Sequence, residues 1–362
     1  MNKLVVKLFK SSLSFVFIWV LTLNTFMNDL RAQDPIFSQT YAAPLYMNPA
    51  LVGAFDGTYR LSILYRDQYR GQVDAPFRSY MFNAEGKFEV SYNKTYNPDI
   101  VGVGVIFLSD VVDNFSLSTN QIQLVGSYHK SLNKNKDQYI GMGISAGITQ
   151  KSINYDNLTF EDQFNQLDAY SFNTAENLPP NSVGVSDFSI GLNYAVSPNK
   201  DSRLWAGLAY HHFGQANISL FNQLDTPIPG QVTEDILASK YTVYASYQRR
   251  LNESLSIGPR AIYANQQQRT EITIGSTLIF DLNDTQDVSF SLGLRTLDHL
   301  DGMKPTAVIL SSAFQFKDFQ FGLSYDANIL DLSGDPAGLN AFEISISFNG
   351  NYTNAVDICP KF

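Results

Sequence analysis

A transmembrane antiparallel β-barrel of about 14 strands, all-β in class and preceded by a short N-terminal arm, is the fold that this 362-residue sequence predicts. Three observations carry the prediction. Segments of about ten residues alternate apolar with small or polar side chains, and period two over that length marks a strand with two unlike faces. The segments exceed the five or six residues usual in soluble sandwiches and match a tilted membrane-crossing strand. The links between them alternate, imperfectly, between short and long, as in barrels with short periplasmic turns and longer outer loops.

The elements follow in chain order. Lys3, Lys7 and Lys10 form a basic stretch, Leu13 to Leu23 an apolar one, and Leu30-Arg31-Ala32 ends on a small residue. Residues 1–32 therefore read as an export signal cleaved after Ala32. Residues 33–56 form an arm with three prolines, Pro35, Pro44 and Pro49, and with neither helical nor strand period. The prolines keep it from pairing as an extra strand. Its bulky side chains, among them Phe37, Tyr41, Leu45, Tyr46 and Met47, need cover. The expectation is an arm that starts on the periplasmic side and folds into the lumen or across that mouth, with Phe37, Tyr41, Tyr46, Asn48 and Pro49 as the plug residues.

The barrel is expected over 57–349 and a tail over 350–362. Its strands fall near 58–68, 77–88, 100–110, 115–130, 138–151, 185–196, 202–215, 238–250, 255–265, 271–281, 286–297, 303–316, 319–328 and 340–349. "QYIGMGISAGIT" is the clearest: Ile140, Met142, Ile144, Ala146 and Ile148 lie against Gly141, Gly143, Ser145, Gly147 and Thr149. An even number of antiparallel strands returns the chain to its starting side. Links such as 197–201 and 317–318 are short, whereas 152–184, 216–237 and 329–339 are long. Tyr and Phe recur near strand ends, as an interfacial girdle requires. The inward faces read as rich in Gly, Ser, Gln and Asn, with few charges and no ion-selecting ring.

Composition agrees. Charged residues are 16% of the chain, below the roughly 25% of ordinary soluble domains. The net charge of -9 argues against nucleic acid as a partner, because phosphate binding wants a basic stripe. The single cysteine, Cys359, excludes an intramolecular disulfide and a Cys-rich zinc site.

Several stretches resemble a known family. "QDPIFSQTYAAPLYMNPALVGAF" (33–55), "YRLSILYRDQYR" (59–70) and "YMFNAEG" (80–86) are similar to the N-terminal signature of the PorP/SprF family. "FEDQF" (160–164), "FQFGLSYDANIL" (319–330), "FEISISF" (342–348) and the terminal "CPKF" (359–362) add to the likeness, which covers essentially the whole exported chain. These are outer-membrane proteins of the type IX secretion system and gliding motility machinery of Bacteroidetes. The resemblance implies an outer-membrane location after signal cleavage and a role in secretion or surface anchoring of a partner adhesin, through the adhesin's C-terminal secretion domain. It further implies type IX translocon components as partners, beside outer-membrane lipid. In the long loops, Phe160, Phe164, Tyr170, Phe172, Phe221, Leu224 and Ile228 are the candidate partner-binding residues. Such loops either dock cargo or fold over their own barrel mouth, and the two readings stand open together.

No cofactor or metal is expected, and the chain reads as a non-enzyme. It holds no Gly-x-Ser-x-Gly elbow, no His-Glu-x-x-His and no phosphate loop. Ser127 and His129 share a strand face and are one candidate nucleophile–base pair. His211 and His212 are adjacent, so on a strand they face opposite ways. The alternative function is a passive outer-membrane channel for apolar small molecules, like fourteen-stranded fatty-acid transporters with an N-terminal hatch.

Overall fold

The computed structural model describes residues 34–69, 76–90, 98–112, 117–133, 138–165, 167, 169–176, 178–223, 235–283, 285–299, 302–329 and 340–351. The expected export signal, residues 352–362 of the expected tail with Cys359, and loop residues Leu224 and Ile228 lie outside them.

Fourteen antiparallel strands close into one barrel, each hydrogen-bonded to its chain neighbours, with the last returning to the first. They are β1 (Tyr59–Gln68), β2 (Phe77–Val90), β3 (Asp99–Val112), β4 (Leu117–Ser131), β5 (Gln138–Ile153), β6 (Ser182–Asn199) and β7 (Ser202–His211). Next come β8 (Lys240–Asn252), β9 (Leu255–Gln266), β10 (Arg269–Asn283), β11 (Gln286–His299), β12 (Gly302–Phe316), β13 (Phe319–Asn328) and β14 (Ala341–Gly350). Among the described residues no helix is long and apolar enough to cross a membrane. Closure satisfies every ladder without an edge, which a sheet in hydrocarbon requires.

The alternation sets the two faces. Ile144, Ile148, Leu292, Phe321 and Ile346 are exposed on the outside, whereas Ser145, Thr149, Ser324 and Ser345 are buried inside. One end of the barrel carries the two-residue turns after β6, β8, β10 and β12. The opposite end carries the loops 154–181 and 212–239. These are called here the short-turn end and the long-loop end.

Strands β1 to β4 depart from clean alternation, and the reason is the arm. Leu64, Met81, Ile106, Leu108 and Val125 point inward and form a core cluster with Phe37, Ala42, Ala43, Leu45 and Val52 of the arm. The near-continuous apolar run "VGVGVIFL" (101–108) is thus a strand with apolar cover on both faces, lipid outside and arm inside.

The arm's course corrects one expectation. It does not start at the short-turn end. Asp34 lies at the long-loop end, where its backbone N–H donates to Gln266 Oε1 (2.9 Å) and its carboxylate meets Lys240 and His212. The arm then descends through the bore to Val52, beside Ser127 and His129 of β4, and enters β1 at the short-turn end. The prolines serve its local shape. Pro44 and Pro49 open two short helical turns, Pro44–Met47 and Pro49–Leu51, at positions that need no N–H donor.

Candidate functional site

The bore is built around the arm in three places. The first is the clasp at Asp34. His212 Nδ1 lies 2.8 Å from Asp187 Oδ1 and its Nε2 lies 3.0 Å from Asp34 Oδ2, while Lys240 Nζ is 3.1 Å from the same Asp34 oxygen. Asp187 also accepts from Gln123 Nε2 (2.8 Å) and Thr149 Oγ1 (3.1 Å). The chain leaves β7 at His211, and His212 takes a left-handed φ of 56°. That turn brings both rings inside: His211 Nε2 faces the Met47 carbonyl at 3.2 Å. The expectation that the two histidines face opposite ways fails because His212 is no longer on a strand.

Burial opposes a charge on His212, but the Asp34 and Asp187 carboxylates prevail and push its pKa up to about 10. Burial likewise opposes the Asp34 carboxylate, and His212 with Lys240 overcomes it, holding Asp34 well below its ordinary 3.8. The His212 contribution is fully present below 6.5, its ordinary value, and is lost as pH rises through about 10. The Asp34 contribution is present above 3.8 and is lost as pH falls through the lowered value. The arm is therefore expected to resist protease across neutral pH and to become cleavable above about pH 10. Limited proteolysis of the lipid-embedded protein against pH checks this; a release midpoint near 6.5 would contradict the clasp.

The second place is a buried ion network beside the β1–β14 seam. The backbone N–H groups of Ser38 and Gln39 donate to the two oxygens of Glu343, at 2.8 and 2.9 Å. Arg66 bridges Glu343 and Asp326, and Arg295 bridges Asp326 (2.7 Å), Glu271 (3.1 Å) and the Ser38 hydroxyl (2.7 Å). These side chains correct the reading of a bore with few charges. β1, β10, β11, β13 and β14 contribute one of these charges each, and only the closed ring collects them.

The third place is a pair of glycines. Gly143 of β5 and Gly191 of β6 lie opposite each other in register. A Cβ on Gly143 would overlap the backbone of Pro49 and Ala50, and one on Gly191 would overlap Asn48 Oδ1. Fully buried, Asn48 donates from Nδ2 to the carbonyls of Leu192 (3.0 Å) and Leu208 (3.2 Å), while Oδ1 accepts the Ala50 N–H (2.8 Å). Two neighbouring strands thus read one arm side chain.

The arm residues singled out from sequence all lie within this assembly. Phe37 packs edge-on against Tyr46 at 5.5 Å, Tyr46 Oη donates to the Pro35 carbonyl (3.0 Å), and Tyr41 Oη donates to Gln39 Oε1 (2.7 Å). Ser127 and His129 do approach each other, at 3.1 Å, but both also reach the Val52 carbonyl, at 2.6 and 2.7 Å. Their geometry holds the arm. Sequence reading missed Asp34, Arg66, Asp187, His212, Glu271, Arg295, Asp326 and Glu343 as a set; the available signal was a charge at an inward position in a strand, as in "AFEISISF".

The loop candidates separate into two groups. In loop 154–181 an isolated bridge joins Phe164 to Tyr170, whose rings sit 5.3 Å apart. Asp162 accepts from Thr174 Oγ1 (3.0 Å) and the Ala175 N–H, and the Phe172 N–H donates to the Gln163 carbonyl (3.0 Å). Leu167 is 85% exposed, and Tyr170 and Phe172 are each 56% exposed. Phe160 is half-buried, and its N–H donates to Gln163 Oε1. Loop 212–239 instead folds back: Ile218 and Leu237 bury against Val183, with Leu220 beside them, and Phe221 is half-buried. Among the described residues no group of three or more His, Cys, Asp or Glu side chains is placed to hold a metal ion.

The family model described as "Type IX secretion system membrane protein PorP/SprF" matches residues 30–348. No curated protein matches the chain. Among solved structures, a Pseudomonas aeruginosa FadL homologue is 14% identical, with a TM-score of 0.48 over 83% of this chain and 92% of that one. The Ralstonia pickettii toluene transporter TbuX is 11% identical, with a TM-score of 0.47 over 86% and 94%. The Pseudomonas putida toluene transporter TodX is 12% identical, with a TM-score of 0.42 over 89% and 96%. At that likeness these barrels bear on no functional argument.

Proposed function

Because the chain belongs to the PorP/SprF family of type IX secretion system membrane proteins, we propose that it sits in the outer membrane, long loops outward, and helps to secrete or anchor a partner adhesin by binding its C-terminal secretion domain. Translocon components and outer-membrane lipid complete the set of partners, and the role is non-enzymatic. The observation that supports docking is the patch on loop 154–181. Large apolar side chains normally seek cover, yet Leu167, Tyr170 and Phe172 stand in solvent on a loop braced by its own hydrogen bonds. Exposed aromatic side chains on a pre-ordered surface lose little freedom on binding. The second reading, a passive channel for apolar small molecules, must contend with an arm that occupies the bore.

Leu167→Glu combined with Tyr170→Ser should cost about 2 kcal/mol or more in adhesin binding, the scale of an interface anchor. Surface adhesin measured on whole cells should fall sharply, while heat-modifiable migration of the barrel stays unchanged. Undiminished surface adhesin in that strain would remove the docking role.

A further inference from the structure

Between the arm and the inner wall of β8 to β11 lies a cavity with about 80 Å³ open to the centres of water molecules, room for several of them. Its apolar lining includes Ile36, Phe37 and Met47 from the arm and Ile262 and Ala264 from β9. Four charged side chains also reach it: Lys240, Arg260, Glu271 and Arg295. Three are committed. Lys240 pairs with Asp34, and Arg295 pairs with Glu271 and Asp326. Arg260 is half-buried, and no hydrogen bond or ion pair joins it to any of the described residues.

A buried polar group without a partner costs free energy, and a cation without one costs more. Natural interiors retain such groups where a ligand completes them. The cavity offers one positive charge without a protein partner and an apolar wall. That combination fits a ligand with a single negative headgroup and a short apolar body. A dianion would meet one cation where it needs two, beside the Glu271 carboxylate. A neutral hydrocarbon would leave Arg260 unmet.

We propose that this cavity is a binding site for a small amphipathic carboxylate, whose headgroup pairs with Arg260 and whose tail lies along Ile262, Ala264 and the arm. The site is distinct from the loop patch and does not depend on the docking role. Because Ile36, Phe37 and Met47 form one wall, ligand and docked arm complete the same cavity, and each stabilises the other by linkage.

The test is equilibrium dialysis of octanoate against the full-length barrel in lipid nanodiscs, with empty nanodiscs as the background. The expected result is one saturable octanoate per barrel, at least tenfold weaker in Arg260→Leu and largely restored in Arg260→Lys. Ala264→Phe, which fills the apolar part and leaves Arg260 in place, should also lose binding. Heat-modifiable migration identifies folded variants. Octanol should bind wild type and Arg260→Leu alike, and inorganic phosphate should not displace octanoate. Absent saturable binding to wild type, or binding to a folded Arg260→Leu or Ala264→Phe variant equal to that of wild type, overturns the site. Displacement by phosphate overturns the amphiphile assignment.

Discussion

Gly143→Val will open the bore. The wall at this point cannot retreat, because β5 is laddered to β4 on one side and to β6 on the other. The new side chain points inward, into space held by the Pro49 and Ala50 backbone. Neither is the tip of a flexible side chain, so the arm itself must move. Overpacking of this kind costs about 1–3 kcal/mol, occasionally more, and here displacement of the arm relieves it. The Asn48 contacts to Leu192 and Leu208 should go with it, since the next residue is Pro49. Conductance in planar bilayers should rise severalfold and protease should cut within 34–55, while the barrel keeps its heat-modifiable migration. Gly126→Val is the matched control: it lies on neighbouring β4, where an added Cβ meets nothing within 4 Å. Equal conductance in the two variants would mean that the arm does not seal the bore.

The largest loss of stability is expected from Arg295→Met. The arginine is buried and faces Asp326, Glu271 and the Ser38 hydroxyl. Its removal leaves Glu271 without the guanidinium and Asp326 with Arg66 and the Ser38 hydroxyl. Breaking a buried pair by deleting one partner costs about 3–5 kcal/mol, because the surviving charge stays buried. The unfolding transition of the lipid-embedded barrel should shift accordingly, and the arm should become cleavable. Neutralising the partners in the triple variant Arg295→Met, Glu271→Gln, Asp326→Asn should recover part of that loss, since no uncompensated charge then faces the methionine. A single variant as stable as wild type would show that the network contributes little.

The barrel was legible in the sequence because each strand declares itself: period two is local, and nothing beyond ten residues need be known to see it. The arm's location inside was also within reach, through its unpartnered apolar side chains and the doubly apolar run at 101–108. The ion network was not. Ser38, Arg66, Arg295, Asp326 and Glu343 come from the arm and four strands, and Glu343 stands 277 residues from Arg66. No window of sequence contains the pairing; only ring closure makes it. His212 misled for a different reason. Facing rules hold for strand residues, and a left-handed φ just beyond the end of β7 turned the ring inward. The direction of the arm had no local signal, because Asp34 finds its partners at residues 212, 240 and 266.

That direction changes the molecule's parity. Fourteen strand passages alone would leave both chain ends on one face, but the arm adds one more traverse and makes the total odd. Asp34 and Gly350 therefore lie at opposite poles, and tags placed at the two would be read from opposite compartments. It also brings the arm to the barrel's closing seam. Arg66 and Glu343, which hold Ser38 and Gln39, face each other across the β1–β14 join. The seam that joins the first strand to the last is thus also one that the arm lines from within.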